Sequence, residues 1–142
     1  MESIEQTNYI KVPVHTVYHA LTTQEGLGEV WTKKLKVKAE IGFINEFDFD
    51  EEELTTMKVI DLQENKKIVW ECLASDPEWV GTGISFELSE RNEITVITLK
   101  HFNWRQRTEF YRSCAYNWAM FLFSLKIYCE NQKGLPYQER VF

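Results

Sequence analysis

The sequence predicts an α+β fold: a curved, seven-stranded antiparallel sheet wrapped around a long C-terminal helix, with two short helices after the first strand. Three patterns predict it. Residues 104–131 (WRQRTEFYRSCAYNWAMFLFSLKIYCEN) hold neither proline nor glycine and repeat their apolar side chains at helical spacing. Residues 36–102 instead alternate apolar and polar side chains between polar turn clusters, which is the period of strands. Between the first strand and that sheet, residues 13–31 carry two short amphipathic patterns.

Residues 3–12 (SIEQTNYIKV) partly alternate and end at Pro13, as a first strand with a sharp exit would. In PVHTVYHAL, Val14, Val17, Tyr18 and Leu21 share a helical face, and Pro13 sits where a first turn tolerates it. Thr22 and Glu25 have the T-x-x-E spacing of a capping box, opening a second helix through Trp31 with Leu27, Val30 and Trp31 on its buried side. The second strand is expected at residues 36–41, broken by Gly42. The third, at residues 43–49, sets Phe43, Phe47 and Phe49 on one face against Glu46 and Asp48 on the other. Residues 54–62 make the fourth. After a polar turn at residues 63–67, Ile68, Trp70 and Cys72 point opposite to Val69, Glu71 and Leu73. The SDPE stretch at residues 75–78 is turn chemistry, and beyond it Thr82, Ile84, Phe86 and Leu88 alternate against Gly83, Ser85 and Glu87. A turn at residues 89–93 leads to the last strand, where Thr95, Ile97, Leu99 and His101 share one side.

On the long helix, Tyr111, Ala115, Trp118, Leu122, Leu125 and Cys129 recur in steps of four and three and form the expected inner stripe. Met120, Phe121 and Phe123 fall off that stripe, so the flanks of the second half need a cover other than water. Asn103 is the expected cap, with Gln106 reaching back to it, and Gly134 and Pro136 stop the chain beyond the end. At about 1.5 Å per residue the helix would span roughly 40 Å and cross the whole fold. A strongly twisted sheet curls and cannot meet a straight helix everywhere, so the mismatch must hold either large side chains or a cavity.

The chain of 142 residues, 44% apolar and 14% aromatic, can build the core of a single domain over residues 1–142. A net charge of -6 argues against neutralising phosphates, so no nucleic-acid partner is expected. MESIEQTNYI lacks a secretory pattern and no stretch is long and apolar enough to span a bilayer, so a soluble, cytoplasmic chain without membrane insertion is expected. Cys72, Cys114 and Cys129 are odd in number and set in apolar stretches, as suits reduced core thiols rather than a disulfide frame or zinc site.

Residues 12–31 (VPVHTVYHALTTQEGLGEVW) resemble the opening of the SRPBCC (START-like, helix-grip) superfamily, where a small helix, T-x-x-E-G-L and a tryptophan follow the first strand. Trp118, Leu122, Leu125, Lys126 and Tyr128 resemble the W-x-x-x-L-x-x-L-K-x-Y ending of the branch related to the activator of the Hsp90 ATPase. Residues 59–70 (VIDLQENKKIVW) and the strand ending in His101 fit that branch too. Asn117 stands where the family commonly has glycine, and Gln63 and Glu64 where it has a proline. The resemblance implies a sheet gripping the C-terminal helix around an apolar cavity. It implies binding of hydrophobic small molecules, with catalysis in a minority of members and action on proteins in others, such as the Hsp90 activator, which has a second domain besides this one.

The candidate chemistry is sparse. His15 and His19 stand four apart on the first helix, a spacing that suits a metal, but no third ligand accompanies them and they lie off the apolar face. The acidic run DFDEEE lacks the spacing and glycine of a calcium loop and reads as a hairpin tip. His101 faces the helix, where it can serve a ligand, act as a general base, or simply bond a neighbour. Asn45 and Thr82 are polar residues on inward faces, the kind that orient a ligand in an apolar pocket. Phe43, Phe47, Trp70, Phe86, Trp118 and Phe121 are the expected wall, completed by Ile84, Leu99, Ala115 and Leu122. So many rings leave room for a compact ligand rather than a long acyl chain. The expectation is a cofactor-free, metal-free binding module for a small hydrophobic or amphipathic molecule. The alternatives are a protein-interaction module acting on a chaperone such as Hsp90, and a polyketide-cyclase-like enzyme resting on His101. A homodimer is compatible with either binding role.

Overall fold

The structure, a computed structural model, describes residues 1–141. Along the chain come β1 (Glu2–Ile10), α1 (Val14–Thr22), α2 (Gln24–Val30), β2 (Lys34–Lys36), β3 (Ile44–Asp48), β4 (Thr55–Gln63), β5 (Lys67–Ala74), β6 (Gly83–Arg91), β7 (Ile94–Trp104) and α3 (Glu109–Asn131). A short 3-10 turn, Tyr137–Glu139, follows. The seven strands pair in the order β1, β7, β6, β5, β4, β3, β2, all antiparallel. Five hairpins join β2 through β7 in sequence, and β1 adds to the open edge of β7. This is the α+β helix-grip arrangement: the sheet's apolar face closes on α3, with α1 and α2 packed alongside.

Several boundaries differ from expectation, each for a local reason. The long helix starts at Glu109, because β7 runs on to Trp104, which pairs with Glu2 of β1. Asn103 is no cap. It takes a left-handed φ of 69°, and between the pairs Ile4 with His101 and Glu2 with Trp104 the β7 side carries an extra residue. That bulge turns both His101 and Trp104 inward, where strict alternation would have allowed only one. Thr108 caps the helix instead, its hydroxyl accepting from the Tyr111 N–H at 3.1 Å and donating to Glu78 at 2.6 Å. At its far end Gln132 adopts a φ of 66° and donates its N–H to the Tyr128 carbonyl at 2.7 Å.

The inner face of α3 is also rotated from the expected stripe. Cys114, Trp118, Phe121, Leu122, Ser124 and Leu125 are buried, while Tyr111, Ala115 and Cys129 are half-buried flanks. Edge strand β1 lies against one flank and fixes it through side chains: Gln6 donates to the Ala115 carbonyl (2.7 Å), Asn8 to Leu122 (3.3 Å) and Lys126 to Tyr9 (2.7 Å). On the opposite side of the helix Tyr116 and Phe123 are exposed, 60% and 51%, with half-buried Met120 and Ile127 on the same line.

The capping residue of α2 is Thr23, which accepts from Gly26 N–H at 3.0 Å. Thr22 instead ends α1 with its hydroxyl on the Tyr18 carbonyl at 2.8 Å. The second strand is short, Lys34–Lys36, and residues 37–41 are irregular up to Gly42, whose φ is 93°. The two small helices meet so closely that a Cβ on Gly26 would lie 2.2 Å from the Ala20 carbonyl oxygen. On Gly28 it would make only ordinary contact, 3.4 Å from Leu35. Gly26→Ala should therefore destabilise the fold by about 1–3 kcal/mol in urea unfolding despite the better helix propensity of alanine. Gly28→Ala should be neutral or stabilising, and equal effects of the two would refute the close approach.

Candidate functional site

His101 sits toward the end of β7, the second strand of the sheet, opposite Ile84 of β6 and Ile4 of edge strand β1, with no exposed surface. Its Nδ1 accepts from the Trp118 indole Nε1–H at 2.9 Å. Because an indole nitrogen only donates, Nδ1 carries no proton, so the neutral ring holds its hydrogen on Nε2 and gives it to Thr82 Oγ1 at 2.7 Å. The Thr82 hydroxyl in turn donates to the Trp79 carbonyl at 2.6 Å. Both imidazole nitrogens are thus engaged inside the protein, and burial pulls the group down to about 3. An imidazole in this state is neutral at physiological pH and has no free lone pair for a substrate proton, so the general-base role has no geometric support.

The other expected lining residues are mostly core. Trp31, at the end of α2, bridges them: its ring lies 4.5 Å from Phe47, 6.0 Å from Trp70 in a stacked pair, and 5.4 Å from both Trp118 and Phe121. Phe86 joins through Trp70 (5.2 Å) and Phe121 (5.7 Å). Ile84 and Leu99 are fully buried beneath these rings, and Leu122 nearly so. Asn45 is buried and receives the Lys38 N–H at 3.3 Å, tying down the irregular segment before β3. Phe43 and Ala115 are half-buried at the periphery. These buried rings meet one another across the inner part of the space between sheet and helix.

Room opens at one end. A pocket of about 280 Å³ lies where α2, the β3–β4 hairpin, the β5–β6 connection, the first half of α3 and the C-terminal segment converge. Its apolar lining is Trp31, Phe49, Trp79, Phe110, Trp118 and Tyr137, and its polar lining includes Glu51, Thr55, Ser75, Asp76, Asn117 and Arg140. Of the wall residues expected from the sequence, Trp118 alone borders it. Trp79 closes one side, stacked on Trp118 at 5.8 Å and 11° with its indole N–H on Cys114 Sγ at 3.3 Å. Trp79 sits in a connection rather than a strand, so alternation could not place it. The signal that could have found it is a large ring directly after the SDPE turn, before Gly81 with its left-handed φ of 87°. Phe110 and Arg140 gave no periodic signal either.

Among the described residues, Cys114 is the one cysteine on the pocket lining. Burial pushes Cys72, Cys114 and Cys129 each up to about 12, far from the thiolate a nucleophile needs. His15 and His19 are exposed on α1, and no group of three metal-ligating side chains comes together among the described residues. No helix among the described residues is long and apolar enough to cross a membrane.

Residues 11–130 match the model of the family described as Activator of Hsp90 ATPase homolog 1-like protein. The chain belongs to this family. Among solved structures it is similar to the Aha1 dimer from Colwellia psychrerythraea, with 35% identity and a TM-score of 0.86, covering 94% of this chain and 100% of that one. Two more distant likenesses show the fold alone. Protein SSP2350 from Staphylococcus saprophyticus has 19% identity and a TM-score of 0.79 over 96% of this chain and 99% of that one. Protein MLL2253 from Mesorhizobium loti has 18% identity and a TM-score of 0.81 over 93% and 99%. No curated protein matches the chain. Membership accounts for the shared frame of sheet and helix, and supports a ligand-binding or interaction module in general terms.

The neutral His101 makes a testable demand on stability. Unfolded, the imidazole binds a proton near pH 6.5. Folded, it resists down to about 3, so the unfolded state holds more protons in between and acid favours unfolding. The stability advantage of the parent over His101→Asn should shrink as pH falls below 6.5, the slope steepening toward about 1.4 kcal/mol per pH unit near pH 5. Parallel stability curves for the two proteins across that range would show that the histidine is not held neutral.

Proposed function

We propose that this chain binds a compact hydrophobic or amphipathic molecule in the pocket bounded by Trp31, Trp79 and Trp118. The observation that supports this reading is the pocket itself: about 280 Å³, six aromatic rings and a few polar groups at one rim. That volume falls near the lower end of small-molecule sites, roughly 300 Å³, which favours a ring system over an acyl chain. The guest sits at the mouth of the sheet–helix space rather than deep within it. A neutral probe such as N-phenyl-1-naphthylamine should bind one per chain with enhanced fluorescence. Asn117→Phe, which adds a ring on the lining where no hydrogen bond is lost, should weaken that binding about tenfold or more. Undiminished binding to the variant would place the guest elsewhere.

A second reading concerns the opposite face of α3, and the two are compatible. Tyr116, Met120, Phe123 and Ile127 follow steps of four, three and four and form an apolar line directed away from the core. A solvated helix face would carry charge there. The 35% identical relative is a dimer, and we read this line as the contact between two copies of this chain. The parent should sediment as a dimer at micromolar concentration and Met120→Asp with Phe123→Asp as a folded monomer. A parent that stays monomeric up to millimolar concentration would remove this reading.

A further inference from the structure

Arg140 stands at the rim of the pocket. Its Nε–H donates to the Leu135 carbonyl at 2.8 Å and Nη2 donates to the Val30 carbonyl at 2.9 Å. These bonds fix the plane of the guanidinium and use two of its five donors, and among the described residues both hydrogens of Nη1 and one of Nη2 have no hydrogen-bond partner. No carboxylate among the described residues forms an ion pair with it. Burial pulls Arg140 down to about 10, so it remains a cation at neutral pH. Among the described residues this half-buried, orientationally fixed cation is bonded only to carbonyls, so its desolvation is opposed there by dipoles and not by a counter-charge.

The acids nearest in the lining do not complete it. Glu51 and Asp76 border the same pocket but are exposed, and Asp76 Oδ1 accepts from the Glu78 N–H at 2.9 Å. Glu139, next in sequence, is held by Lys33 at 2.8 Å. The rings of Trp31, Phe49 and Tyr137 line the same pocket as Arg140, with Phe49 and Tyr137 in edge contact at 5.3 Å. A planar cation on the lining of an aromatic pocket fits a ligand that carries one carboxylate on a ring system.

Resting on the pocket reading above, we infer that the ligand is a compact aromatic monocarboxylate, its ring between the tryptophans and its carboxylate on Arg140. Recognition is by charge-assisted hydrogen bonds that a neutral isostere cannot supply in full. Such bonds correspond to roughly ten- to hundredfold in affinity.

The test uses 2-naphthoate and the neutral, nearly isosteric 2-naphthamide, titrated at pH 7 and followed through the indole N–H resonances of Trp31, Trp79 and Trp118. The parent should bind the acid roughly ten- to hundredfold more tightly than the amide. Arg140→Gln should lose the preference, the affinity for the acid falling to near that for the amide. Equal affinity of the parent for acid and amide would overturn the carboxylate assignment while leaving the pocket as a binding site. If neither compound moves the three indoles of the parent, the pocket reading fails and this inference with it. The comparison within the parent decides the matter even if the variant folds poorly. Retained preference in a folded Arg140→Gln would also overturn the role of this residue.

Discussion

The bond from the Trp118 indole to His101 joins the two halves of the molecule, the helix and the sheet it lies on. Everything around it follows from keeping that imidazole neutral and fully bonded. Thr82 takes the remaining ring hydrogen and passes its own to the Trp79 carbonyl, so one polar chain crosses from α3 through β7 to the β5–β6 connection. Trp79, Trp104 and Trp118 surround the ring at 4.8, 4.8 and 5.7 Å and exclude water from the chain. In such surroundings an unpaired polar atom would be costly, so the network specifies where along the sheet the helix must sit. A residue suited by type to catalysis serves here as the pin that sets helix position.

Fixing the helix there settles how the curvature mismatch is resolved. Toward the middle of the sheet, Trp31 inserts from α2 and knits Phe47, Trp70, Phe86 and Phe121 into one cluster that occupies the inner space. Toward the start of α3, the sheet is replaced by connections, which cannot bring a continuous apolar face to the helix. There the β3–β4 hairpin, the Trp79 segment and the C-terminal turn leave a pocket with rings on its walls and the Arg140 guanidinium at its edge. Family membership describes the frame. The character of the vacancy comes from these loop residues.

What the sequence made legible is what has a period. Alternation alone placed Thr95, Ile97, Leu99 and His101 on the inner side of β7, and all are buried. It also placed Trp70, Ile84 and Phe86 together. The helical repeat of α3 was legible through Trp118, Leu122 and Leu125, but its start was not. Trp104 continues the apolar repeat backwards by chance, and nothing in the residue types announces that Asn103 would take a left-handed conformation and extend the strand. The inner stripe was read one position off because Ala115 and Tyr111 fit the same steps as Cys114 and Trp118, and only the position of β1 decides between them. The pocket was least legible of all. Trp79, Phe110, Tyr137 and Arg140 lie in connections or at helix ends, where no repeat assigns a side chain to a face, and they converge only through tertiary packing.

The central claim is that rings pinned by His101 fill the inner space between sheet and helix and leave room only at its mouth. Xenon occupies dry apolar cavities without needing any polar partner, so a crystal of the protein under xenon pressure reports the vacancy directly. Density for xenon against Trp31, Trp79 and Trp118, with none among Phe47, Trp70, Phe86 and Phe121, is the result this account predicts. Xenon lodged within that inner cluster, and absent from the mouth, would contradict it.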